Sequence, residues 1–73
     1  MAGINWAEFK EYKKYSNRND NFETLLDFTK SYYNMANPRE IYGLLSSDET
    51  AQMMLKKRNI TDAEDIENFL FKL

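Results

Sequence analysis

Cysteine and histidine are both missing from the 73-residue chain. Without cysteine there is no disulfide framework, and no thiolate to hold zinc or act as a nucleophile. Without histidine the usual general base, the commonest metal ligand and the neutral-pH switch are gone as well. Valine is absent too, and no run alternates apolar and polar residues as a half-buried strand would. Long apolar segments are lacking: the longest, Ile41 to Leu45, is interrupted by Gly43 and falls far short of the roughly 20 residues of a membrane span. The opening Met1-Ala2-Gly3-Ile4-Asn5 has neither the basic start nor the apolar stretch of a signal peptide. These absences set the expectation of a soluble, cytoplasmic chain with no membrane association, no cofactor and no metal.

Aromatic residues are plentiful. Five Phe, five Tyr and one Trp suit a chain this short, which buries only about 60% of its unfolded surface and needs large rings to close a core. Ten basic and twelve acidic residues nearly balance, so bulk charge argues neither for nor against a polyanionic partner. Their placement is uneven. Phe9 to Arg18 carries Lys10, Lys13, Lys14 and Arg18 against Glu11, whereas Thr61 to Asn68 carries Asp62, Glu64, Asp65 and Glu67 with no basic residue.

A capping residue followed three positions later by Glu marks a helix start, because the two side chains can satisfy each other's free backbone donors. The pattern occurs as Asn5 with Glu8, Asp20 with Glu23, Asn37 with Glu40, Ser46 with Glu49 and Thr61 with Glu64. Pro38 after Asn37 suits a first helical position. Apolar residues at spacings of three and four then predict five short helices. The first, about Trp6 to Tyr15, faces inward with Trp6, Phe9 and Tyr12. The second, about Asn21 to Tyr33, does so with Phe22, Leu25, Leu26, Thr29, Tyr32 and Tyr33. The third, Pro38 to Leu45, uses Ile41, Leu44 and Leu45, and the fourth, about Asp48 to Lys57, uses Ala51, Met54 and Leu55. The fifth, Asp62 to Lys72, uses Ala63, Ile66, Phe69, Leu70 and Leu73. Asn59 is predicted to end the fourth helix in the left-handed conformation, with Leu55 and Ile60 in contact and Lys56, Lys57 and Arg58 at the negative end of the dipole. The fold expected is an all-α, compact single-domain bundle in which helices too short to stand alone stabilise one another.

The chemistry-bearing residues have two readings each. Lys10, Lys13 and Lys14 share a helical side with Tyr12 and Tyr15 at its flank, a mixture that suits nucleic acid because cations follow phosphates while rings stack on bases. With Arg18 they form the candidate nucleic-acid contact. The alternative is a solvated face paired with Glu8 and Glu11. Lys56, Lys57 and Arg58 likewise suit either phosphate or the helix dipole. The acidic cluster lacks the Gly turn and alternating carboxylates of a calcium loop and reads as a helix start. Tyr15, Tyr33, Tyr42 and Phe71 lie at or beyond the edges of the apolar stripes, where they either wrap the rim of the core or, with Tyr12, form a protein-binding surface.

The run from Met54 to Leu70, with Leu55, Arg58, Ile60 and an acidic helix ending in Phe69-Leu70, resembles a helical stretch near the N-terminus of RecJ-type single-stranded-DNA exonucleases. That family has glycine where Asn59 stands, and its metal-binding Asp and His motifs have no counterpart here, so the resemblance implies a helix–turn–helix and a link to DNA metabolism but no nuclease activity. The order of Phe9, Tyr12, Phe28, Tyr32, Pro38 and Ile41 resembles the small helical YozE-like proteins, with different spacings. The reading that follows is a non-catalytic helical adaptor or regulator, of bacterial or phage origin, that binds a protein. The alternatives are a nucleic-acid-binding accessory factor and a homodimer closed by the extra rings.

Overall fold

Five helices carry the chain in the computed structural model, which describes residues 3–72. They are α1 (Trp6–Lys14), α2 (Asn21–Tyr32), α3 (Pro38–Ser46), α4 (Glu49–Lys57) and α5 (Ala63–Lys72), and no strand occurs among the described residues. The all-α bundle inferred from periodicity is the fold observed.

Helix starts follow from capping side chains, though two differ from the sequence expectation. Asn5, Asp20 and Asn37 cap α1, α2 and α3 as expected, each accepting a backbone N–H from the first turn. Ser46 does not cap α4, because α3 continues through it. Asp48 takes that role, with Oδ1 accepting the Ala51 N–H at 3.1 Å. At α5 the box shifts by one residue. Asp62 Oδ1 accepts the Asp65 N–H, and Asp65 Oδ2 reaches back to the N–H of Thr61. A carboxylate accepts these bonds more strongly than a hydroxyl, so the neighbouring aspartates displace Ser46 and Thr61.

The end of α4 takes the left-handed asparagine turn expected. Asn59 sits at φ 58°, its N–H donates to Lys56 C=O at 3.1 Å, and the Ile60 N–H donates to Leu55 C=O at 3.0 Å. Leu55 and Ile60 are both buried. A second asparagine, Asn34 at φ 55°, ends α2 and turns the Met35 N–H back toward Thr29 C=O.

α2 is the central element. Phe22, Thr24, Leu25, Leu26, Phe28 and Thr29 are all buried, a wider arc than the single stripe expected, because α1 covers one side and α5 touches another through Phe22 and Phe69. The hydroxyls of Thr24 and Thr29 donate to Asp20 C=O and Leu26 C=O, so neither enters the core unsatisfied. Phe28, outside the expected stripe, is the hub. Its ring lies 5.5 Å from Phe9, 5.5 Å from Tyr12, 4.9 Å from Tyr32 and 5.7 Å from Tyr33. Tyr32, expected to face inward, stacks on Phe28 from outside and is 48% exposed.

α1 packs on α2, and α3 packs on α4 and α5. Three links join these two groups. Phe22 meets Phe69 edge to face at 5.2 Å. Arg58 at the end of α4 pairs with Asp20, the α2 cap, and its guanidinium lies 5.3 Å from the Phe22 ring centre. The third link is Asp48, whose Oδ2 accepts the Ile4 N–H at 3.0 Å and the Trp6 indole N–H at 2.9 Å. This strap seats Ile4 in the core ahead of the first helix. Gly3 fits there at φ 126°, and a Cβ on it would stand 3.3 Å from that same oxygen.

Candidate functional site

Six of the eleven aromatics form one cluster around Phe28, and this takes in two of the rings first considered for a partner, Tyr12 and Tyr33. Tyr12 is half-buried edge-on against Phe28. Tyr33 packs on Phe28 and Tyr32, and its hydroxyl accepts the Asn5 N–H at 2.8 Å, bringing the end of α2 back to the start of α1. Tyr42 is half-buried on α3, its hydroxyl donating to Thr61 C=O at 2.9 Å and pinning the turn before α5. These three tyrosines hold the fold together.

Tyr15 and Phe71 are different. They are 84% and 87% exposed, and neither side chain makes a ring contact or hydrogen bond among the described residues. They do not form one patch: Tyr15 follows α1, whereas Phe71 lies near the end of α5. Met53, which sequence reasoning left out, is 67% exposed on α4. Its signal was present in the pair Met53-Met54, because neighbours on a helix point about 100° apart and Met54 at the edge of the core leaves Met53 outside it.

Lys10, Lys13 and Lys14 stand together on the exposed side of α1. Lys14 pairs with Glu11 at 3.2 Å, while Lys10 and Lys13 have no carboxylate within ion-pair distance among the described residues. Arg18 is not part of this face. It pairs with Asp27 and lies 3.9 Å from Glu23, tying the α1–α2 turn to α2, and the hydrogen bond to Asp27 raises its pKa further above the ordinary guanidinium value. An open groove of about 540 Å³ lies at this corner, lined by Tyr12, Tyr15, Ser16, Asn17, Arg18 and Asp27.

Of the run Lys56-Lys57-Arg58, Arg58 is turned inward to Asp20 and Phe22, leaving Lys56 and Lys57 exposed in the last turn of α4. The acidic cluster divides similarly. Asp62 and Asp65 accept backbone donors, whereas Glu64 and Glu67 project into solvent. No group of three or more acidic side chains is arranged to hold a metal ion among the described residues. No helix among them is long and apolar enough to cross a membrane.

No family model matches this chain, and no curated protein or solved structure shows a significant match to it.

Proposed function

We propose that this domain is a non-catalytic adaptor or regulator that binds an acidic protein partner at the corner where α1 turns into α2. The observation that carries this reading is Tyr15, a large ring left 84% exposed beside an open groove while Tyr12, Tyr33 and Tyr42 are drawn toward the core. An exposed amphipathic ring at the edge of a groove is the anchor type that dominates protein interfaces. On the exposed side of α1, Lys10 and Lys13 have no carboxylate within ion-pair distance among the described residues, and their positive charge steers an acidic partner toward this end of the molecule. Tyr12, which lines the same groove, is held edge-on against Phe28 behind this surface.

The test is affinity capture on the immobilised domain, comparing wild type with Tyr15→Ala and with Lys10→Glu/Lys13→Glu. The expected result is a partner retained by wild type and lost from both variants while circular dichroism remains unchanged. Retention by both variants would sink the proposal.

The same three lysines support a nucleic-acid accessory function as the second reading, because they lie on one helical face clear of the fold. Fluorescence anisotropy with labelled single-stranded and duplex DNA decides it. Three phosphate contacts give a slope of log K against log salt of about −2 on single strands. The absence of binding at low salt rules this function out.

A further inference from the structure

The outer faces of α4 and α5 carry matching patterns. On α4, Thr50, Met53, Met54 and Lys57 follow the spacing of one helical stripe and line a shallow, mostly apolar groove. On α5, Glu64, Glu67 and Phe71 form an exposed stripe opposite buried Ile66. One stripe offers methionines beside a lysine. The other offers glutamates beside a ring. Among the described residues Lys57 has no carboxylate partner, and Glu64 and Glu67 have no cation within ion-pair distance.

The registers agree as well. From Lys57 back to Met53, and from Glu67 forward to Phe71, is four residues in each case, or about 6 Å of helical rise. When two such helices run antiparallel, Glu67 meets Lys57 about one turn away from where Phe71 meets Met53. That orientation also opposes the helix dipoles, setting the acidic start of one against the basic end of the other. Thioether sulfur against the edge of a phenyl ring is itself favourable.

We infer that this surface receives a second copy of the same chain: α5 of one molecule docks antiparallel on α4 of the other, with Phe71 over Met53 and Met54 and Glu67 on Lys57. Each molecule carries both stripes, so a mutual α5-on-α4 contact, repeated by a two-fold axis, closes as a dimer. Two rings of roughly 150–250 Å² with their linings fall below the roughly 1,200 Å² of a standard interface, which makes the dimer weak, salt-sensitive and concentration-dependent. The lysine face of α1 and Tyr15 after it take no part, so this association is independent of the function proposed above.

Sedimentation equilibrium at low and at moderate salt, run up to about 1 mM chain where a contact at the weak end becomes visible, is the experiment. The expected result is a monomer–dimer equilibrium that weakens with salt. Phe71→Ala and Met53→Asp each weaken it at least tenfold, and Tyr15→Ala leaves it unchanged. Lys57→Glu and Glu67→Lys each weaken it, and the two combined restore it, which separates a direct pairing from loss of folding. A monomer throughout the range, or a dimer indifferent to Phe71 and Met53, or one that the double exchange fails to restore, overturns the inference.

Discussion

Replacing Asp48 by asparagine changes almost nothing in shape, yet it should cost much of the stability. One carboxylate oxygen caps α4 at the Ala51 N–H, while the other accepts two donors, the Ile4 N–H and the Trp6 indole. Asparagine is itself a good cap, so its carbonyl can keep the first bond. Its amide group then faces the two strap donors with no acceptor to offer. Charge-assisted bonds to a carboxylate contribute about 1.5–3 kcal/mol each when removed, and the site is only partly buried, so the lower end applies and Asp48→Asn costs about 2–3 kcal/mol. At roughly 0.05–0.15 kcal/mol per residue a domain this size holds about 4–11 kcal/mol. The melting temperature should therefore fall by roughly 10–20 °C. Asp48→Ala also removes the cap and should cost about 1 kcal/mol more. The assay is urea unfolding followed both by circular dichroism and by emission of Trp6, the single tryptophan, which reports the strap directly. If Asp48→Asn lies within about 0.5 kcal/mol of wild type, the strap carries no stability and the account is wrong. The pH dependence has a definite sign. Burial pushes the Asp48 carboxyl up, but the Ile4, Ala51 and Thr50 N–H groups and the Trp6 indole outweigh it and hold the group below its ordinary range. A carboxylate lowered on folding contributes fully above the unfolded value, near pH 4, and loses that contribution as pH falls through the lower folded value. Wild type should lose the strap below about pH 4, and Asp48→Asn should lack that component of the titration.

Two further outcomes test the core and the helices. Phe28→Ala removes the hub ring and should cost about 3–5 kcal/mol, enough to leave the domain near its unfolding threshold; Phe28→Leu restores most of the volume and isolates the ring–ring geometry, with urea midpoints separating the two costs. Gly43 sits mid-helix on the exposed side of α3 with open space where a Cβ would go, so Gly43→Ala should stabilise by about 0.5–1 kcal/mol in thermal melts, and any destabilisation would contradict the open geometry.

Local rules made the helices legible because every start and stop is decided within a few residues. Asn5, Asp20, Asn37 and Asn59 act on their immediate neighbours, and their roles could be read from spacing alone. Long-range competition is what spacing does not carry. Asp48 displaced Ser46 as a cap while also serving donors 44 and 42 residues away, and nothing in Gly3 or Ile4 announced the strap that they form. Phe28 was passed over because a stripe analysis assigns a helix one buried face, and α2 is covered on more than one side.

The same limit explains how the candidate surface changed. Edge positions on a helical wheel identify rings that could be exposed, but a hydroxyl that finds a distant backbone group draws its ring inward. Tyr33 found the Asn5 N–H and Tyr42 found the Thr61 carbonyl, so both became braces. Tyr15 and Phe71 found nothing comparable, each lying at the end of its helix beyond the last covering element. Exposure of a large ring in so small a domain therefore has a structural origin, and it also has a cost, since each ring left in water forgoes roughly 1.5–3 kcal/mol of burial. The elements that carry the two uncovered rings also carry charge without an ion-pair partner among the described residues, Lys10 and Lys13 on α1 and Glu64 and Glu67 on α5. Each combination selects a partner of the complementary charge. That asymmetry underlies the two proposals, an acidic partner at the α1 corner and a second copy whose α4 complements the α5 stripe.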